Sequence, residues 1–186
     1  TGVWCHLVFT WEASGNMVLY ADGVEVGSVA SDSNADSALK TSISEPLKIG
    51  TRITVEFKGQ IRDTKIFPSA LTAPDIRKLY SGENPKKNLT QGNLVANGDF
   101  EADSPSGNAP QSWALGSGGS NSSQSTTKHS GTYGWQLAIN SNNDNVGIHT
   151  DAYILKSGKT YVVEFWAKAS SAIDVFNVYA YGTTNA

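Results

Sequence analysis

Apolar and polar positions alternate with the period of strands over most of this chain. Between Val3 and Trp11 the run VWCHLVFTW sends Val3, Cys5, Leu7, Phe9 and Trp11 to one face and Trp4, His6, Val8 and Thr10 to the other. With so little polar relief, this run predicts a central strand. Met17 to Ala21 and Val24 to Val29 flank Asp22-Gly23, a dipeptide that tolerates positive φ and so predicts a two-residue hairpin turn. Leu47 to Thr51 and Gly59 to Phe67 add further strands. Only LTAPDIRKLYSG departs from a period of two. There Thr72 can cap a helix, Pro74 fits its first turn, Asp75 faces the positive end of the helix and Gly82 stops it.

The next stretch, GENPKKNLTQG, is polar and broken by Pro85 and two glycines, which places a linker at 83–92. Beyond it, Asn93 to Glu101 reads as a strand and Asp103 to Gln111 as a loop. GSGGSNSSQSTTKHSG has too few apolar side chains for anything but a solvated loop or an edge strand. Strand patterns return at Tyr133 to Asn140, Ala152 to Leu155, Thr160 to Ala169 and Val175 to Tyr181. Short strands punctuated by turn residues predict an all-β fold: two tandem β-sandwich modules at 1–82 and 93–186, the first closed by one short helix.

Composition narrows the function. The chain has 186 residues and a net charge of −3, and neither half carries the basic stripe that binding a phosphate backbone requires, which argues against nucleic acid as a partner. No segment approaches the roughly 18 consecutive apolar residues of a membrane span. Cys5 is the only cysteine, so an internal disulfide is impossible, and it reads as a small hydrophobe on a strand. Two sequons, at Asn88 and Asn121, are expected by chance in a chain rich in Asn and Ser.

Three features bear on chemistry. In NGDFEAD the carboxylates Asp99, Glu101 and Asp103 recur at every second position, so on a strand they would share one face about 7 Å apart. That spacing suits a glycosidase acid pair, a hard-cation site or a solvated edge. His6, His129 and His149 fall in no ligand or nucleophile spacing, and each reads as structural or surface. Asn140, Asn142 and Asp144 alternate as in a calcium loop, but Asn145 and Asp151 stand where such a loop needs Gly and Glu, which favours a polar hairpin. The third feature is the strand at Tyr161 to Lys168. Tyr161, Val163, Phe165 and Ala167 read as core, leaving Val162, Glu164, Trp166 and Lys168 opposite. Val175 to Tyr181 likewise leaves Asn177, Tyr179 and Tyr181 opposite its apolar set. Flat rings mixed with amide and carboxylate groups are what a neutral glycan needs, because rings cover sugar C–H faces and planar polar groups pair with hydroxyls. Trp135, in phase with Leu137 and Ile139, reads as core.

Two stretches resemble known families. Trp4-Cys5-His6-Leu7-Val8, Leu19-Tyr20-Ala21-Asp22-Gly23, Leu47-Lys48-Ile49-Gly50 and Phe57-Lys58-Gly59-Gln60-Ile61-Arg62-Asp63, ending in Ala70-Leu71-Thr72 and the helix, resemble the later half of a laminin-G-like, concanavalin A-like jelly roll. Asn93-Leu94-Val95-Ala96-Asn97-Gly98-Asp99-Phe100-Glu101, Trp113, Ser130-Gly131-Thr132-Tyr133-Gly134-Trp135-Gln136-Leu137 and Gly158 to Lys168 resemble the families 4 and 9 carbohydrate-binding modules. Both resemblances are partial, which implies a window from a longer multidomain chain whose further strands lie outside it. The second implies a glycan cleft on one sheet, with Trp166, Tyr179, Tyr181, Asn177, Glu164 and Gln136 as its candidate residues. It also implies a structural calcium, with Glu101 as side-chain ligand, Asp99 as a weaker one, main-chain oxygens of Ser130 and Gly131, and a last acid beyond Ala186. The function so implied is a non-catalytic glycan-binding or adhesive segment of an extracellular or cell- or virion-surface protein. Its partners would be a polysaccharide, neighbouring domains of the same chain, or further copies of itself. The alternatives are a structural module of a surface appendage or virion fibre, and the accessory part of a polysaccharide-degrading enzyme.

Overall fold

The first alternating run forms strand β1 (Cys5–Trp11), followed by β2 (Met17–Ala21) and β3 (Val24–Val29). Asp22 and Gly23 turn the hairpin with φ of 49° and 78°, the left-handed pair the dipeptide predicts. The Asp22 carboxylate then accepts from the His6 amide at 2.8 Å, and the Asp22 amide donates to the His6 carbonyl at 2.9 Å, tying the turn to β1. A computed structural model describes residues 2–11, 16–29, 47–50, 57–68, 71–83, 93–102, 109–115, 122–138, 147–150, 155, 159–170 and 178–180. The remaining elements are β4 (Leu47–Ile49), β5 (Gly59–Phe67), helix α1 (Ala73–Tyr80), β6 (Trp113–Leu115), β7 (Ser123–Ser125), β8 (Gly134–Leu137), β9 (Ile148–Thr150), β10 (Tyr161–Ala169) and β11 (Val178–Ala180). Of the predicted strand at Ala152 to Leu155 only Leu155 is described, and Asn140, Asn142 and Asp144 lie outside the described residues.

Among the described residues the strands form two antiparallel sheets, a seven-stranded one in the order β3-β2-β1-β10-β5-β8-β7 and a four-stranded one in the order β11-β4-β9-β6. The all-β sandwich is as expected. The two segments either side of 83–92 do not, however, keep to separate sheets. β10, from the second segment, inserts between β1 and β5 of the first, pairing Cys5 with Ala167 on one side and Lys168 with Gln60 on the other. β4 of the first segment likewise pairs with β9 and β11 of the second. The physical reason is the unpaired edge. Each segment's strand set leaves backbone N–H and C=O groups open, and pairing across the segments satisfies them.

The core lies between the sheets. Ile61, Ile66, Trp135, Leu137, Val163 and Phe165 from the larger sheet meet Leu47, Ile49, Trp113 and Ile148 from the smaller. Trp135 is core, as its phase predicts. A second cluster occupies the outer face of the larger sheet, where Val8, Tyr20, Phe67 and Val162 are covered by Leu71 and Ile76. Helix α1 stands there because Thr72 and Asp75 form a reciprocal capping box and Ile76 is fully buried, worth roughly 1.5–3 kcal/mol of apolar burial. At Gly23 a Cβ would crowd Tyr80 and the Arg77 backbone as well as strain a backbone at φ 78°, which favours glycine where the hairpin tip meets the helix.

One predicted strand is not a strand. Residues 93–102 form a succession of turns, with Asn97 at φ 49° and Phe100 at φ 56°. Their backbone runs beside β5 past the reach of β8. Leu94 donates to the Ile66 carbonyl at 2.9 Å, Thr64 donates to the Gly98 carbonyl at 2.6 Å, and Asn93 Oδ1 accepts from the Ile66 amide at 2.8 Å. Any side chain at Gly98 would collide with the Thr64 carbonyl. Asp99 and Glu101 therefore do not share a strand face, and Asp103 lies outside the described residues.

Because β10 is completed by strands of the other segment, polypeptides 1–82 and 93–186 prepared separately are expected to lack a β-sheet circular dichroism spectrum and cooperative unfolding, and to gain both on mixing. Two fragments that each unfold cooperatively on their own would show that the segments fold independently.

Candidate functional site

The site is built where β10 crosses β5. Glu164 pairs with Lys65 but Trp166 pairs with Arg62, so β5 carries one extra residue opposite Phe165. Asp63, with φ 53°, takes up that bulge. Without it, a period of two would turn Lys65 away from Arg62. With it, Arg62, Lys65, Glu164 and Trp166 all project from the outer face, beside helix α1.

Among the described residues, five aromatic rings of this face form one contacting group around Trp166. His129, on the loop between β7 and β8, stacks on Trp166 with centroids 3.6 Å apart and planes 14° apart. His6 lies 5.0 Å from Trp166, Tyr80 of α1 lies 6.1 Å from Trp166, and Trp4 meets His129 edge-on at 5.9 Å. Trp166 and Trp4 are half-buried and Tyr80 is exposed. Beneath the rings is a charged layer. His6 Nε2 sits 3.1 Å from Glu164 Oε1, and Lys65 Nζ donates to the same oxygen at 3.2 Å. Burial pushes the Glu164 pKa up, yet His6 and Lys65 outweigh it and hold the carboxyl below its ordinary value. The His129 imidazole is held below its usual value, first by burial against Trp166, with Asp63 opposing.

A second arrangement adjoins the first. Arg62 Nη2 donates to Glu101 Oε1 at 2.5 Å, and Arg62 Nε lies 3.3 Å from Asp63. The same Glu101 oxygen accepts from the amides of Thr132 at 2.8 Å and Tyr133 at 3.1 Å, while Ser130 Oγ donates to Asp63 Oδ2 at 2.7 Å. Arg62 is buried, and its Nη1 has no hydrogen-bond partner among the described residues. Burial raises the Glu101 pKa, but the two amides and Arg62 overcome it and bring the carboxyl from 4.5 to about 2.

The structure thus brings some predicted residues together and separates others. Trp166 and Glu164 share the outer face, but Glu164 is 2% exposed and bonded within the sheet, so it is not free to meet a ligand. It is buried because the helix and the aromatic rings cover a face that the sequence pattern leaves open. Gln136 pairs with Gln60 near the end of the same sheet. Tyr179 belongs to β11 in the four-stranded sheet, away from Trp166 in the sheet order, and Asn177 and Tyr181 lie outside the described residues. Glu101, Ser130 and Gly131 do come together, whereas Asp99 is exposed and, among the described residues, accepts from the Glu101 amide at 3.5 Å.

As arranged, these residues do not fit a calcium ion. Such an ion takes six to eight oxygens, but Glu101 Oε1 already accepts three N–H groups, one of them from the Arg62 guanidinium. No group of three or more His, Cys, Asp or Glu side chains gathers among the described residues. Arg62, Asp63, Trp4, Tyr80 and His129 were not picked out from the sequence as site residues. The bulge that gathers them has no local sequence signal, because Asp63 takes a left-handed conformation usually left to glycine. Cys5 is half-buried, and burial together with the Asp22 charge pushes its thiol up to about 11, which agrees with an unreactive role.

A family model described as the Concanavalin A-like lectin/glucanases superfamily matches residues 1–77, and one described as a carbohydrate binding domain matches residues 92–185. Searches among curated proteins and solved structures give no match.

Folding lowers the Glu101 pKa from 4.5 to about 2, so the stability this group contributes is fully present above the higher value and is lost as pH falls toward the lower. Melting temperature is expected to decline across that window, and Glu101→Gln is expected to flatten that part of the decline. At neutral pH the same substitution should cost on the order of 1–3 kcal/mol in urea unfolding, because Arg62 stays buried with a poorer acceptor. A variant with the wild-type acid profile would contradict the assignment.

Proposed function

We propose, from the premise that the chain belongs to the carbohydrate binding domain family, that the outer face of the seven-stranded sheet binds a neutral glycan against Trp166, with Trp4 and Tyr80 beside it. Both family matches support a glycan-binding role. The observation that carries the location is the run of rings from Trp4 through His129 and Trp166 to Tyr80 on one face. Pyranose rings present flat C–H faces that pack on aromatic rings, and their hydroxyls need polar groups at the margin. Gln136, Lys168 and Lys65 are polar residues of the same sheet, neither fully buried nor apolar. His129 rests where a second flat surface packs on Trp166, so a sugar ring would take the place of the imidazole.

The function that follows is binding rather than catalysis. Glu164 and His6, the buried acid–base pair of the face, are bonded to each other and covered, which suits a support for the rings rather than a proton-transfer pair. In a longer surface or secreted chain such a face would serve adhesion, or would hold a degradative enzyme on its polysaccharide.

A second reading, association with protein neighbours or further copies, is favoured by β3. This strand lies at the edge of the large sheet with Val24 and Val26 64% and 56% exposed. An apolar edge of this kind invites pairing with another chain.

Affinity electrophoresis of the full chain in gels containing a soluble neutral β-glucan, and then other neutral polysaccharides, separates these readings. Trp166→Ala is expected to weaken retardation about tenfold or more, equivalent to about 1.4 kcal/mol per tenfold. His129→Ala is expected to strengthen it by uncovering the ring, and Tyr179→Ala, on the other sheet, to leave it unchanged. Retardation that survives Trp166→Ala with the fold intact would remove this face from the proposal. Self-association abolished by Val26→Lys, without glycan retardation, would favour the second reading.

A further inference from the structure

The Arg62–Glu101 arrangement joins three parts of the chain that are distant in sequence. Arg62 comes from a strand of the first segment, Glu101 from the turns after the linker, and Ser130 to Tyr133 from the loop that carries His129 to Trp166. The Arg62 side chain is 3% exposed. It therefore needs anionic partners, and Asp63 and Glu101 supply them. A Cβ on Gly131, whose φ is 58°, would strike both Arg62 Nη2 and Glu101 Oε1, so the loop backbone closes directly over the ion pair. We infer that Arg62 is the built-in cation of this site: its guanidinium holds the Glu101 carboxylate and, through it, the loop that positions His129 on Trp166, so the loop is held without calcium.

The chemistry supports a guanidinium in this place. A calcium ion needs carbonyl and carboxylate lone pairs converging on one point, but here the Thr132 and Tyr133 amides direct hydrogens at the carboxylate oxygen. A guanidinium presents a flat fork that satisfies the Glu101 and Asp63 carboxylates at once, which an ammonium cannot do from the same stem. The positioning role is independent of whether the face binds glycan.

The test uses the full chain and three readouts. The melting temperature of the wild type is expected to be the same in a chelator and in millimolar calcium. Arg62→Met is expected to lower it by several degrees, with Arg62→Lys recovering only part of the loss. Combined with Glu101→Gln, it is expected to cost less than the sum of the two single losses, as for groups that act on each other. Amide hydrogen exchange at Thr132 and Tyr133 is expected to accelerate at least tenfold in Arg62→Met relative to the core strands. A concentration-dependent rise of the wild-type melting temperature with calcium would overturn the inference, and this needs no variant to fold. Additive single losses would do so too, as would unchanged protection of the two amides in Arg62→Met.

Discussion

The structure depends on the insertion of β10 between β1 and β5. A strand paired on both sides loses its backbone polar groups to neither water nor an open edge, and β10 does this with a partner on either flank from the other segment. Its side chains are then buried on both faces. Val163, Phe165 and Ala167 go into the core between the sheets, while Val162 and Glu164 lie beneath the helix and the rings. The position of every site residue follows from this register, because Trp166 stands opposite His6 on one side and Arg62 on the other.

The bulge at Asp63 refines that register. One extra residue in β5 brings Arg62 and Lys65 to the same face and places the Asp63 carboxylate where Ser130 and the Arg62 guanidinium can meet it. A charged layer this well covered is stable only while each charge has a partner. Glu164 has His6 and Lys65, and Arg62 has Glu101 and Asp63. The rings above them are held at fixed separations by that layer and by the capped helix that brings Tyr80 alongside.

Where local chemistry decides an element, the sequence was sufficient. Asp22-Gly23 turns the predicted hairpin, Thr72 and Asp75 cap the predicted helix, β5 has the predicted limits, and Trp135 lies in the core. The polar run around Ser123 to Ser125 is an edge strand, one of the two readings its composition allowed. Trp113–Leu115 and Ile148–Thr150 are too short to show a period, and only pairing across the sheet makes them strands. NGDFEAD shows the opposite failure. Its alternation is real in sequence, but Asn97 and Phe100 adopt left-handed conformations, and the Asn97 side chain bonds the Ala102 and Gln111 carbonyls, so the chain folds back instead of extending. Period-two patterning reports a strand only where the backbone is free to extend.

The same segment shows how much of a site's chemistry lies outside the stretch of chain that carries a resemblance. Glu101 meets the loop at Ser130 to Tyr133 through the amides of Thr132 and Tyr133, while the Ser130 hydroxyl turns to Asp63. The cation that Glu101 meets in the structure is Arg62, 39 residues away on a strand of the other segment, and no motif within residues 93–186 could have signalled it. A loop position that must be glycine, a carboxylate with its pKa brought down to about 2, and a buried guanidinium are each explained by the same contact. An interleaved sheet makes that contact possible, because it sets a strand of one segment directly beneath a loop of the other.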